Sequence, residues 1–400
     1  MLESAPAEGP KARVGALAYG VRGYKDRAVA IAARLPQRFG LALWNEWAAH
    51  PSTYRPLFDA VGALGIVRQS PDGAAALLEG LVDGAPDHDA DQATDGDEQV
   101  ARVFLAVDVL RDVGTVGVGK RGLRSVTNAL VRTMQSSGVS PKQRRRIGLL
   151  LGDLEWAPDD LDAWIEIPPD RFLYGYNNEP QEIPHRYWIG KYPVTNLQYV
   201  RFIAGDGYAR KEFWSDAGWS WRDRTGISQP RFWKQADYNN PLCPVVGVSW
   251  YEAETYCRWL GSEGIAQPAD NGDPLADAQE SIWQVRLPTE LEWERMARGN
   301  DGRAYPWGDA EPSRDRANCE RHAGGTTSVG TYPSGLADSG AADVAGNVWE
   351  WCGYSPGIHR VVRGGYWFFD AYNCRCSLRL NFRPPERFHD LGFRCARVRS

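Results

Sequence analysis

Apolar residues recur at three- and four-residue spacing over 54–67, 73–82, 99–113, 121–135 and 141–151. That period puts them on one face of a helix, and the succession predicts an α-helical region over residues 1–155. Ser140 followed by Pro141 predicts an N-cap with proline at the first helical position, and Gly114 and Gly138 predict stops. Near Trp156 the pattern changes to short strand-length runs separated by Gly/Pro turns, so a domain boundary is expected at about 156, with a loop-rich domain over 156–400. Within the helical region, residues 83–98 carry six aspartates, a glutamate and turn residues, which predicts an acidic linker. It lacks the sixth-position glycine and closing glutamate of a calcium loop, so it reads as solvated chain.

Length and composition narrow the function classes. Four hundred residues are enough for two or more domains with their own cores. A net charge of −5 gives no electrostatic case for nucleic acid or an anionic membrane as partner. No apolar run is long enough to span a bilayer, and the first residues lack a basic segment followed by an apolar one, so the expected location is the cytoplasm. Gly117–Gly122 holds Gly and Lys close together but has no phosphate-loop frame. All seven cysteines lie after residue 242; the odd number argues against a disulfide framework and for buried thiols. Of seventeen tryptophans, only Trp44 and Trp47 precede residue 150.

The second half carries motifs in a recognisable order. Trp164–Gly175 comes first, then His185-Arg-Tyr-Trp-Ile-Gly-Lys-Tyr-Pro-Val-Thr-Asn196. Pro244-Val-Val-Gly-Val-Ser-Trp250 leads into Tyr256-Cys-Arg-Trp-Leu260, and Arg286-Leu-Pro-Thr-Glu-Leu-Glu-Trp293 follows. Tyr305-Pro-Trp-Gly-Asp309, Asp343-Val-Ala-Gly-Asn-Val-Trp-Glu-Trp351, Arg363-Gly-Gly-Tyr-Trp367 and Gly392-Phe-Arg394 complete the set. Ser249 and Thr289 predict N-caps for helices over 250–260 and 291–298. Together these motifs resemble the formylglycine-generating enzyme (sulfatase-modifying factor) family over about residues 160–400. The resemblance implies an α+β, C-type-lectin-like fold, loop-rich and preceded here by the all-α region.

The resemblance also implies chemistry. Its oxidases hold copper between two cysteines, a soft pair suited to Cu(I). The first falls at Phe369 and the second at Cys374, so one thiolate is missing, no copper is expected, and the chain reads as a non-enzyme. A second branch, the iron-dependent sulfoxide synthases of thiohistidine biosynthesis, places three histidines on an N-terminal helical bundle, where this chain has only His50 and His88. His185, His322, His359 and His389 have no nucleophile-elbow motif beside them. The resemblance implies a structural calcium ion at Asp343, Gly346, Val348 and Glu350, an oxygen-only set of the kind a hard cation takes.

A non-catalytic branch of the fold, the variable proteins of diversity-generating retroelements, diversifies the segment between the Arg-Gly-Gly-like and Gly-Phe-Arg motifs. The corresponding segment, 366–390, mixes polar and aromatic residues without the period of a strand or helix. The ligand-binding residues implied are Tyr366, Phe368, Phe369, Asp370, Ala371, Tyr372, Cys376, Leu378, Leu380, Asn381, Phe382, Phe388 and Asp390. Aromatics on rigid loops bring contact area at low entropic cost. The expected function is display of a binding face to a protein or other macromolecule. The alternatives are a formylglycine-type oxidase acting on protein cysteine, and an inert family member in which Phe368, Phe369 and Phe382 pack the core.

Overall fold

The computed structural model describes residues 92–113, 115–263 and 283–399, with Ala75, Leu78, Glu79 and Val82. The helix expected over 54–67, as well as His50 and His88, lies outside the described residues. The chain divides into two compact units, Met1–Val139 and Ser140–Ser400.

In the first unit, α1 (Gln92–Val113) packs on α2 (Thr115–Gln135). Val100, Val103, Ala106, Val107 and Leu110 form the buried stripe of α1. The helix starts at Gln92, so the second half of the expected linker is helical. A helix already held by its apolar stripe extends backwards cheaply, since each added residue makes a further hydrogen bond. Gly119, at φ 66°, breaks the helical path inside α2.

The second unit begins with α3 (Pro141–Asp153), capped by Ser140, whose hydroxyl and backbone both bond Gln143. The unit boundary therefore falls at 139/140, ahead of the change in sequence texture at 156. Side-chain contacts explain why. The buried Arg144 pairs with Asp315, Arg145 donates to the Thr326 carbonyl at 3.0 Å, and Asn240 donates to the Leu149 carbonyl at 2.9 Å. A hydrophobic period marks a helix but says nothing about which core its polar residues serve.

The remaining elements are short. Strands β1 (Trp164–Ile167), β4 (Tyr187–Gly190), β10 (Ala396–Arg399) and β5 (Trp283–Arg286) form one sheet in the order β1-β4-β10-β5, so the end of the chain pairs beside the start of the domain. Strands β2 (Asp170–Tyr174) and β3 (Glu179–Ile183) form a hairpin. A second four-stranded sheet has the order β8-β7-β6-β9, from β6 (Trp349–Trp351), β7 (Arg360–Arg363), β8 (Arg379–Phe382) and β9 (Leu391–Phe393). Strands β7 and β9 flank residues 366–390 and β8 lies within them; β6 and β9 run parallel and β8 is an edge.

The helices are α4 (Asn196–Ala204), α5 (Asp216–Thr225), α6 (Trp250–Ser262), which packs on β5, and α7 (Glu290–Arg298), which packs on β2 and β7. Ser249 and Thr289 cap α6 and α7, each in a reciprocal capping box with a glutamate three residues on. Tyr199, Phe202, Tyr256, Trp259 and Phe393 interlock at ring separations of 5.2–6.3 Å. Indole N–H groups tie loops to this core: Trp250 donates to the Cys352 carbonyl at 2.8 Å, Trp351 to Val248 at 3.0 Å and Trp214 to Gly207 at 3.0 Å. A domain with little regular structure satisfies its buried loop carbonyls this way.

Candidate functional site

The segment 366–390 is clamped at both ends. At its start, the fully buried Arg363 donates to the Cys376 carbonyl at 2.9 Å and to Glu294 and Glu290 at 2.6 and 2.8 Å. Gly364 and Gly365 follow with φ of 96° and 77°, the left-handed region that glycine tolerates. A Cβ on Gly365 would lie 2.5 Å from the Asn373 carbonyl oxygen, so the close approach of the turn requires glycine. At the far end, Arg394 holds Glu350 with two hydrogen bonds and also donates to the Ala342 carbonyl at 3.0 Å.

Between the clamps the aromatics divide by exposure. Phe368, Tyr372 and Phe388 are 39, 53 and 39% exposed. Asp370 and Asn381 are exposed, while Phe369, Ala371, Leu380, Phe382 and Asp390 are half-buried. Cys376 and Leu378, at 1 and 8%, are core residues rather than contact residues. Arg363 draws the carbonyls of both toward it, turning that stretch inward. Tyr366, at 9%, is also a correction: it supports the face from beneath, stacked on Phe368 at 6.0 Å.

A neighbouring loop stiffens the exposed aromatics. The Glu320 N–H donates to the Phe369 carbonyl at 2.7 Å, and the Arg321 N–H to the Trp367 carbonyl at 2.8 Å. The Arg321 guanidinium sits 3.6 Å above the Phe368 ring. Asp370 caps the single 3-10 turn Ala371–Cys374, accepting from Asn373. Phe388 packs 5.5 Å from Phe382, itself 6.2 Å from Trp351. His389 lies among Phe232, Tyr238 and Tyr366. Arg321, Phe232 and Tyr238 were not among the expected residues; they reach the face from distant loops, and no local pattern marks them.

The oxidase position is filled. The Phe369 ring meets Tyr366 at 4.6 Å and Trp349 at 6.3 Å. Cys374 is buried beside Cys319, and hydrogen bonding to that thiol, together with burial, pushes its own thiol well above the ordinary value. The pairing of Cys319 with Cys374 has no sequence signal, since 55 residues separate them.

The residues implied for calcium do not fit as placed. Both Glu350 oxygens are held by Arg394, and one also accepts from the Trp293 indole at 2.7 Å. The Gly346 carbonyl accepts from the Val348 N–H at 2.8 Å. Only the Asp343 carboxylate lacks an arginine; it accepts from the Gly330 N–H at 2.8 Å, and burial pushes its pKa up to about 6. Among the described residues, no group of three or more His, Cys, Asp or Glu is placed to hold a metal ion.

The fold and this frame define a mixed helix-and-sheet domain of one class. Residues 152–399 match the model of the sulfatase-modifying factor enzyme 1-like domain, and the chain belongs to that family. It is 30% identical to the inactive C-alpha-formylglycine-generating enzyme 2 of Mus musculus, over 58% of this chain and 85% of that protein. It is 33% identical to the hercynine oxygenase of Mycolicibacterium thermoresistibile, over 52% of this chain and 50% of that protein. The chain spans about half the length of the hercynine oxygenases it matches. Among solved structures, Treponema denticola variable protein 1 is similar at 23% identity and a TM-score of 0.40, covering 58% of this chain and 94% of that one. The relatives thus include proteins named as catalysts and as inactive, and membership is compatible with either.

Proposed function

We propose that the Ser140–Ser400 unit is a non-catalytic binding domain. Segment 366–390 presents its aromatic face to a protein or other macromolecular ligand, as a variable protein of a diversity-generating retroelement does. The observation that carries this reading is the exposure of Phe368, Tyr372 and Phe388 on loops whose ends are clamped by Arg363 and Arg394. Large rings held toward water by a rigid frame are preorganised for contact. The replacement of an oxidase cysteine by Phe369 supports the same reading, as does the inactive relative. Among the described residues no helix is long and apolar enough to cross a membrane, and the proposed location is the cytoplasm.

The test is to sequence the 3′ end of the gene across isolates. Variation concentrated in the codons for Phe368, Phe369, Asp370, Tyr372, Asn381 and Phe388, beside an adenine-rich near-copy and a reverse transcriptase gene, is the expected result. Invariant codons, with copper-dependent turnover of a cysteine peptide, would replace this reading with the oxidase. A catalytic reading is kept as the second one because of the 33% identity to a hercynine oxygenase.

A further inference from the structure

Four buried glutamates in this unit face arginines. Glu252 meets Arg387, Glu292 meets Arg286, Glu294 meets Arg298 and Arg363, and Glu350 meets Arg394. Within the clamped segment, Asp370 caps a turn and Glu386 accepts from the Arg383 N–H. Asp390 is different. It is half-buried, and its Oδ1 is buried without a hydrogen-bond donor. No lysine or arginine is paired with it among the described residues; the ionisable side chain acting on it is His389.

Aromatic residues lie near this carboxylate. Its charge acts on the Tyr238 and Tyr366 hydroxyls. His389, the residue before it, lies 6.0 Å from Tyr238, 6.3 Å from Phe232 and 6.3 Å from Tyr366, while Phe232 and Tyr238 are 5.2 Å apart. The group sits within the proposed binding face, between the exposed Phe388 in sequence and the exposed Phe368 stacked on Tyr366. A carboxylate with one oxygen lacking a donor, next to aromatic residues, has the chemistry of a cation receptor. The acid supplies charge and a hydrogen-bond acceptor, and the rings supply negative quadrupole faces.

We propose that Asp390, with Phe232, Tyr238 and His389, forms the anchor of the binding face, backed by Tyr366, and takes a lysine or arginine side chain from a protein partner. This rests on the reading of segment 366–390 as a binding face and names what that face selects. The Arg321 guanidinium already lies on Phe368, which stacks on Tyr366, so the protein places one cation on this aromatic band itself.

Two measurements test the proposal on the full chain. In the first, the amides of N-acetyl-lysine, N-acetyl-arginine and N-acetyl-norleucine are titrated, with choline as a free small cation, and binding is followed by NMR shifts. At least tenfold preference for lysine or arginine over norleucine is expected, abolished in Asp390→Asn, an isosteric change whose unaltered melting temperature verifies folding. Equal binding of the charged and uncharged amides, or no effect of Asp390→Asn, overturns the anchor. Preference for choline over both amino-acid amides overturns the side-chain assignment.

In the second, a random peptide display library is panned against the wild-type chain. Enriched peptides with a shared basic residue, lost in Asp390→Asn, support the anchor. Enriched peptides without one, lost in Phe368→Ala but not in Asp390→Asn, overturn the anchor while the face stands. Enriched peptides indifferent to Phe368→Ala, Tyr372→Ala and Phe388→Ala, or no enrichment, overturn both.

Discussion

Arg394 and Glu350 form a two-pronged ion pair at 2.6 and 2.8 Å, with both side chains sealed from solvent. The pair ties the last residue of the Gly-Phe-Arg motif to β6, and so fixes where segment 366–390 ends. Arg394→Met is expected to destabilise the domain by about 3–5 kcal/mol, because it strands Glu350 as an uncompensated buried charge. Chemical denaturation measures this; a loss below about 1 kcal/mol would mean that the pair adds little to the clamp.

The other clamp is steric. Gly365→Ala puts a Cβ 2.5 Å from the Asn373 carbonyl at a φ of 77°. The expected cost is about 1–3 kcal/mol, read by thermal melting, with displacement of the turn that carries Tyr372. Unchanged hydrogen exchange over 371–374 would show that the turn does not depend on this approach.

Phe369→Cys restores a cysteine at the position implied for the oxidase but is expected to generate no oxidase. The thiol of its companion, Cys374, is hydrogen-bonded to Cys319 and held well above its ordinary pKa. A cysteine peptide incubated with the variant, copper and reductant should emerge unmodified by mass spectrometry. Formylglycine in the product would revive the catalytic reading.

Asp343 makes stability depend on pH. Its folded-state pKa is pushed up from 3.8 to about 6 by burial, so the folded chain binds this proton more tightly than the unfolded chain does. The stabilisation from this group is complete below about pH 4 and is lost as pH rises through about 6, an effect of roughly 3 kcal/mol. Asp343→Asn, which keeps an acceptor for the Gly330 N–H, should be more stable than wild type at pH 7.5 and level with it at pH 4. Millimolar calcium is expected to leave the melting temperature unchanged, since Glu350 is already paired with Arg394. A calcium-dependent rise would place the ion at Asp343 after all.

The exposed rings should separate binding from folding. Phe368→Ala and Phe388→Ala are expected to change stability by no more than about 1 kcal/mol, as partly exposed positions do. Each is expected to weaken a bound ligand by about 2 kcal/mol or more, measured by calorimetry. Stability losses of core size would assign both rings to packing.

Local physics made much of this chain legible in its sequence. Ser140, Ser249 and Thr289 sit before helical periods, and capping is a contact between residues three apart, so the starts of α3, α6 and α7 follow from the residues themselves. Gly364 and Gly365 mark a backbone only glycine adopts easily, and the ordered motifs identify the family. The tertiary structure decided what depends on contacts between distant residues. Cys376 and Leu378 turn inward because Arg363 captures their carbonyls, Cys374 meets Cys319, and α3 joins the second unit through Arg144, Arg145 and Leu149. His389 meets Phe232 and Tyr238 from a loop about 150 residues earlier. In a domain built mostly of loops no repeating period assigns a side chain to the inside or the outside, so burial is set by which distant partner each loop finds.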